Sequence, residues 1–248
     1  MYLKTAQLLT TLHLVFVSMA SYAQAQNVVY DKPKVISFAI PAVFIGYGLI
    51  SLIGKNEVRS LDLTTRSELQ EDHPLFAAHI DDYMQFAPAA AVYALNLAGI
   101  NSKHSLADAT ACFVLSEAIM GGAVHGLKMV SHRLRPNGSS YNSFPSGHTA
   151  NAFVAAEFLN QEYKDSSPWY GYAGYTVAAG TGILRMYNNK HWFSDVVAGA
   201  GFGILSAKLS CLAYPRLKRL ISGHHTANYN LVPLYQAHEL GLSFNASF

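Results

Sequence analysis

Charged side chains are scarce in this sequence. Only 13% of its 248 residues are Asp, Glu, Lys or Arg, about half the usual share, whereas 51% are hydrophobic. Such a composition indicates a chain that buries much of its surface or exposes it to lipid. The formal net charge of +2 is close to neutral, so we expect no nucleic-acid partner.

Cysteine is scarce as well. Cys112 and Cys211 both lie inside apolar runs, where a thiol commonly behaves as a small hydrophobic side chain. An exported location would permit a disulfide, and sequence spacing does not decide whether one forms. We predict two buried thiols.

The first 25 residues have the pattern of a secretory signal. Lys4 precedes an apolar stretch at residues 8–19, and Ala23-Gln24-Ala25 forms a small-residue cleavage site before Gln26. The alternative is a first transmembrane anchor. Both interpretations predict that the chain is located in the cell envelope.

The middle of the chain contains six apolar segments, several of which are joined by short links. They lie at residues 36–53, 86–100, 106–127, 145–159, 169–184 and 194–214. Short links favour antiparallel neighbours, so we predict an all-α, six-helix bundle over residues 26–220. The intervening residues 55–83 carry charges of both signs, which we interpret as a solvated amphipathic segment.

The C-terminal residues 221–248 have a different pattern. Apolar and small polar residues alternate from residue 240 to 248, which is typical of a β-strand. We predict a short β-hairpin tail that packs on the bundle. His224, His225 and His238 lie in this tail without clear metal-ligand spacing.

Residues 143–150, Ser-Phe-Pro-Ser-Gly-His-Thr-Ala, have the features of a helix start that is open to an anion. Pro145 is tolerated in a first helical turn, where backbone N–H groups have no helical partner. Ser146 adds a hydroxyl, Gly147 permits close approach to the backbone, and His148 can exchange a proton near neutral pH. A phosphate would fit this place.

Two flanking stretches supply charge to the same site. Upstream, Lys128 and Arg135 are seven residues apart and would share one helix face if the helix continued that far. Downstream, Arg185 precedes His191 and Asp195, whose spacing of four makes them neighbours on a helix. In an up-and-down bundle all three stretches lie at one end.

At these residues the sequence resembles the type 2 phosphatidic acid phosphatase (PAP2) superfamily, which also contains bacterial acid phosphatases and vanadium haloperoxidases. The family pattern is Lys, six residues, Arg-Pro; then Pro-Ser-Gly-His; then Ser-Arg, five residues, His, three residues, Asp. The matching stretches are residues 128–136, 145–148 and 185–195. The chain departs from the pattern at Leu184, where the family usually has Ser, and no charged or nucleophilic group is lost.

The resemblance implies hydrolysis of a phosphomonoester or diphosphate through a phosphohistidine. His191 would be the nucleophile, Asp195 would orient it, and His148 would be the general acid and base. The phosphate oxygens would be held by Lys128, Arg135, Ser146, Gly147 and Arg185. The resemblance implies no metal and no cofactor.

The apolar bundle and the signal favour a lipid-linked phosphate in the envelope as the substrate, such as phosphatidylglycerol phosphate, undecaprenyl diphosphate or lipid A. The alternatives are a nonspecific acid phosphatase acting on water-soluble esters and a vanadate-dependent haloperoxidase.

The positive-inside rule places the site on the periplasmic side if the helices span a membrane. A cleaved signal followed by three crossings would place it in the cytoplasm, so the two features conflict. Polar residues inside the helices, such as Glu117, Asn151 and Glu157, favour incomplete embedding. We therefore predict an exported, periplasm-facing protein that is embedded in or associated with a membrane.

Overall fold

The computed structural model describes residues 34–222, 228–236 and 239–247. Within them, a 3-10 turn at Val35–Phe38 precedes eight α-helices. The helices are α1 (Ala39–Ile50), α2 (Glu57–Asp72), α3 (Asp81–Met84), α4 (Ala87–Leu97), α5 (Leu106–Ser131), α6 (Gly147–Tyr163), α7 (Pro168–Tyr187) and α8 (Phe193–Ser222). The predicted signal segment lies outside the described residues.

The prediction of an all-α fold is confirmed, with two more helices than expected. Each of the six apolar segments contains one helix. The two additional helices, α2 and α3, both come from the polar residues 55–83. Helix α2 begins where the Asn56 side chain accepts a hydrogen bond from the Arg59 backbone N–H.

Helix α6 is the central element of the bundle and packs against α4, α5 and α7. Its buried side chains contribute to separate apolar clusters on different faces of the helix. Ala150 and Val154 pack against Met120 and Val124 of α5, whereas Phe158 lies with residues of α4 and α5. Burying each large apolar side chain stabilises the fold by roughly 1.5–3 kcal/mol. This packing fixes the N-terminus of α6 relative to the ends of its neighbours.

Glu157 shows how the bundle accommodates a buried charge. Its carboxylate accepts hydrogen bonds from Lys208 Nζ at 2.7 Å, from Gln161 Nε2 at 3.0 Å and from the Tyr175 hydroxyl. The carboxylate and its partners therefore form a buried network between α6, α7 and α8. Because this charge is neutralised inside the bundle, its presence in a helix does not indicate exposure to water.

Two helices among the described residues are long and apolar enough to cross a membrane. They are α5, at Leu106–Ser131, and α8 over Phe193–Leu220. The 3-10 turn with α1 and helix α4 are apolar but shorter. Length and composition alone do not separate a span from a core helix.

Neither Cys112 nor Cys211 forms a disulfide. Cys112 is buried, as predicted, whereas Cys211 is only partly buried and its thiol donates a hydrogen bond to Gln161 Oε1 at 2.8 Å.

The second compact unit of the chain begins at Ala213 and contains the predicted hairpin. Strands β1 (Asn228–Gln236) and β2 (Glu239–Ser247) pair antiparallel, with Leu231 opposite Phe244. The hairpin is confirmed, and its packing on the bundle stays a prediction.

Glycines of α8 allow close contact with α6. A Cβ on Gly199 would lie 2.6 Å from the Ser146 carbonyl oxygen, and a Cβ on Gly203 would lie 2.3 Å from that of Ala150. At Gly121 and Gly122 of α5, by contrast, a Cβ would have no neighbour within 4 Å among the described residues. The close contact is thus built from α8.

Gly199→Ala is expected to destabilise the bundle by about 1–3 kcal/mol because α6 and α8 must separate to admit the methyl group. The control is Gly126→Ala in α5, where a Cβ meets nothing within 4 Å. Removing a helical glycine there is expected to stabilise by up to about 1 kcal/mol. Thermal unfolding of both variants measures the difference, and equal melting temperatures would contradict the proposed close packing.

Candidate active site

The three sequence stretches meet at one end of the bundle. Lys128 lies in the last turn of α5, and Ser146 is the N-cap of α6. Arg185 lies in the last turn of α7, and Asp195 lies in the first turn of α8. His191 is in the turn between α7 and α8.

The helix of Lys128 does not continue to Arg135, so the condition for a shared helix face is not met. Helix α5 ends at Ser131 because His132 adopts a left-handed conformation with φ of 42°. Asn142 connects the two cations instead. Lys128 Nζ donates to its backbone oxygen at 2.5 Å, and Arg135 Nε donates to its side-chain oxygen at 2.9 Å.

His191 is buried, and its ring faces Asp195. Nδ1 lies 3.7 Å from Asp195 Oδ2, although His191 itself precedes α8, so the predicted helical pairing is not the reason for their proximity. Burial lowers the pKa of His191 to about 4, and Asp195 opposes this shift. The ring is therefore neutral near pH 7, and its Nε2 is available as a nucleophile.

The orientation of Asp195 is fixed by three donors. Its Oδ1 accepts from Arg133 Nη1 at 2.7 Å, and its Oδ2 accepts from the Ser143 hydroxyl at 2.5 Å and the Trp192 backbone N–H at 2.9 Å. Arg133 Nη2 also donates to Asp62 Oδ2 at 2.6 Å. A buried chain of alternating charges thus runs from α2 to the nucleophile.

Two consecutive carboxylates of α3, Asp81 and Asp82, bind the side chains of Arg185 and His148. Arg185 Nη1 lies 2.6 Å from Asp81 Oδ2 and 3.6 Å from Asp82 Oδ1. His148 Nε2 lies 2.8 Å from Asp82 Oδ1. Burial and the charge of Arg185 lower the pKa of His148, and Asp82 opposes this shift. Within the described residues, the buried Arg185 Nε has no hydrogen-bond partner.

The interpretation of residues 55–83 as a merely solvated segment is wrong at Asp62, Asp81 and Asp82. Asp62 and Asp81 are buried, and all three bind side chains of the site. The local sequence carries no signal for this, because Arg133 lies 71 residues from Asp62 and Arg185 lies 104 residues from Asp81.

Ser146 and Gly147 occupy different roles at the start of α6. The buried Ser146 hydroxyl caps the helix by accepting from the Thr149 N–H, and it shares a hydrogen bond with the Thr149 hydroxyl. A Cβ on Gly147 would lie 4.0 Å from Lys128 Cε, so this glycine brings the open end of α6 next to that cation. A phosphate contact by the Ser146 hydroxyl stays a prediction.

The cations of this end repel one another. Burial lowers the pKa of the Arg135 guanidinium, and the nearby charge of Arg185 lowers it further. Lys128 and Arg135 both disfavour protonation of His191. An anion bound among these groups would relieve the repulsion, so the arrangement is suited to a phosphate.

The described residues contain no group of three or more His, Cys, Asp or Glu placed to hold a metal ion. His224, His225 and His238 lie outside the described residues.

Similarities to known proteins agree with this geometry. Residues 109–219 match the model of the PAP2 superfamily. A Lipid A 1-phosphatase of Porphyromonas gingivalis is 44% identical over 193 residues, which are 77% of this chain and 42% of that protein. The chain thus spans less than half the length of this relative.

The fold has a counterpart among solved structures. A transmembrane PAP2-type phosphatidylglycerolphosphate phosphatase from Bacillus subtilis has a TM-score of 0.50 and 22% identity, covering 73% of this chain and 98% of that one. Residues 109–219 are therefore the part of this chain that matches the PAP2 superfamily, and the fold is shared over 73% of the chain.

Proposed function

We propose that this protein is a metal-independent phosphatase that removes phosphate from a phosphorylated envelope lipid through a phosphohistidine. The observation that carries the proposal is the pairing of a buried, neutral His191 with a cluster of cations around it. The nucleophile and the anion-binding groups lie at the same end of the bundle, as hydrolysis of a phosphate ester requires.

In the first step, His191 Nε2 forms a bond to phosphorus while the bond to the leaving oxygen breaks. His148 gives a proton to that oxygen. Lys128, Arg135, Arg185 and the N–H groups at the start of α6 stabilise the negative charge on the other oxygens. Each charge-assisted hydrogen bond contributes roughly 1.5–3 kcal/mol. Arg185 Nε, which has no hydrogen-bond partner within the described part of the chain, is one of the proposed donors.

In the second step, water attacks the phosphorus of the phosphohistidine. His148, now neutral, accepts a proton from this water, and the bond to Nε2 breaks. Phosphate leaves and His191 returns to its starting state. Arg133, Ser143 and the Trp192 N–H fix the Asp195 carboxylate, which faces His191 Nδ1 at 3.7 Å, beyond hydrogen-bond distance. Asp195 orients the ring in both steps once this distance shortens.

A lipid is the proposed substrate class for two reasons. The similar Porphyromonas protein is a Lipid A 1-phosphatase, and two helices of this chain have the length and composition of membrane spans. We therefore propose that the protein lies in or on the membrane. The positive-inside rule favours a site that faces the exported compartment.

The test is phosphate release from a panel of substrates in mixed micelles and in water. The panel contains lipid A, phosphatidylglycerol phosphate, undecaprenyl diphosphate and a water-soluble aryl phosphate. Faster release from one of the lipids is expected, with full activity in the presence of a chelator. Equal or faster release from the soluble ester would favour a nonspecific phosphatase, and no release from any of them would contradict the proposal.

The pH profile of kcat/KM is expected to be bell-shaped and centred on the acidic side of neutrality. The nucleophile must be deprotonated, which holds above the His191 pKa of about 4. The general acid must be protonated, which holds below the His148 pKa, itself lowered from 6.5 by burial and Arg185. Initial rates at constant ionic strength measure both limbs, and an alkaline limb well above pH 7 would contradict these assignments.

A further inference from the structure

Asp82 is placed differently from the other carboxylates of the site. Asp62, Asp81 and Asp195 are buried and bind arginine side chains at 2.6–2.7 Å. Asp82 is 46% exposed, and its short contact is with an imidazole, 2.8 Å from Oδ1 to His148 Nε2. Its distance of 3.6 Å from Arg185 Nη1 is longer. Asp82 is therefore arranged to act on His148 rather than to hold the bundle together.

We propose that Asp82 is the positioning residue of the general acid and that the proton is transferred from His148 Nδ1. This inference rests on the proposed phosphatase function. An ionised carboxylate only accepts hydrogen bonds, so His148 Nε2 is the donor to Asp82. The ring's other nitrogen, Nδ1, is then the atom that can serve the leaving oxygen.

The proton balance follows from this geometry. Protonated His148 carries hydrogen on both ring nitrogens, and Asp82 retains the Nε2 proton throughout. When the phosphorus–oxygen bond breaks, Nδ1–H passes its proton to the leaving oxygen and the ring becomes neutral. In the second step the attacking water returns a proton to Nδ1. Asp82 thus selects the same reactive atom for both steps.

The charged groups around His148 act in opposite directions. Arg185 of α7 disfavours the imidazolium, whereas Asp82 and Asp81 of α3 favour it. His79, which precedes α3, lies 3.7 Å from the second oxygen of Asp82. Removing the Asp82 charge leaves Arg185 less opposed, so His148 would hold its proton only at lower pH.

The test compares Asp82→Asn with Asp82→Glu on two substrates. One is a long-chain alkyl phosphate, and the other is an aryl phosphate whose ring carries an alkyl chain of the same length. An alkyl leaving oxygen needs the proton, whereas an aryl oxygen leaves readily without it. For Asp82→Asn we expect kcat/KM, which reports the first step alone, to fall about 10–100-fold on the alkyl ester and less than about threefold on the aryl ester. The alkaline limb of the pH profile of kcat/KM should shift to lower pH by about 0.5–1 unit. Asp82→Glu should recover part of the activity that Asp82→Asn loses.

The matched control is Asp165→Asn, an exposed carboxylate that pairs with Lys103 at the opposite end of the bundle and should leave all rates unchanged. Equal losses of Asp82→Asn on both esters, no loss, or a gain would overturn the inference. If His191→Ala is inactive while Asp82→Asn behaves like wild type, only the role of Asp82 fails. A wild-type protein that releases no phosphate from either ester would refute the proposed function and this inference together.

Discussion

Replacing His191 with alanine is expected to reduce phosphate release by at least about 10⁴-fold, since the covalent route through Nε2 is closed. Substrate binding should be nearly unchanged because Lys128, Arg135 and Arg185 remain in place. The measurement is kcat on the best substrate of the panel, together with equilibrium binding of that substrate to the variant. His125→Ala is the control, since His125 is an exposed histidine of α5 that takes no part in the proposed reaction.

If His191→Ala turned over substrate at the wild-type rate, His191 would not be the nucleophile. A loss of binding as large as the loss of rate would instead assign His191 to substrate recognition. Either result would leave the match to the PAP2 superfamily intact, because the fold and the sequence match do not depend on the role of one side chain.

Replacing Arg133 with methionine is expected to destabilise the fold by about 3–5 kcal/mol. Asp62 and Asp195 are both buried, and each forms an ion pair with this guanidinium. Removing the cation leaves two buried carboxylates without their counter-charge, which costs far more than breaking an exposed pair. Activity should fall as well, because Asp195 loses one of the donors that fix its orientation toward His191.

Arg66→Met is the matched control for Arg133→Met. Both guanidinium groups lie over the Trp192 ring, at 5.8 Å and 5.6 Å from its centroid, but Arg66 is exposed. Its loss is expected to cost less than about 1 kcal/mol. Denaturant or thermal unfolding in the same detergent compares the two variants, and equal destabilisation would contradict the central role of the buried charge chain.

The helical class and the meeting of the predicted site residues at one end of the bundle could be predicted because both follow from local patterns. Apolar segments with short links give antiparallel helices, and such a topology brings Lys128, Ser146 and Arg185 to one end. The β-hairpin was predictable for the same reason, since its alternation has the period of a strand.

The partners of the site residues could not be predicted, because they come from distant parts of the chain. Asp62 and Arg133 are 71 residues apart, and Asp81 and Arg185 are 104 apart. Spacing within one helix carries no information about such pairs. The mixed charges of residues 55–83 resemble those of a solvated surface helix, and only the fold shows which of them face inward.

Local spacing also gave correct neighbours for an incorrect reason. Lys128 and Arg135 would share a helix face only if the helix continued that far, yet α5 ends between them and Asn142 joins them. His191 and Asp195 were expected to lie on one helix, yet only Asp195 does. In both cases a loop held by specific hydrogen bonds, rather than a helix, brings the two side chains close together.

The most direct test of the account is detection of a phosphoryl group on His191 during turnover. In His148→Ala, an aryl phosphate can still transfer its phosphoryl group because its leaving oxygen needs no proton, whereas the second step lacks its base. Rapid denaturation at alkaline pH followed by mass spectrometry of the peptides should then find the phosphoryl group on residue 191, and none in His148→Ala/His191→Ala. Continued phosphate release by His148→Ala with no phosphoryl group on His191, or with it on another residue, would contradict the account.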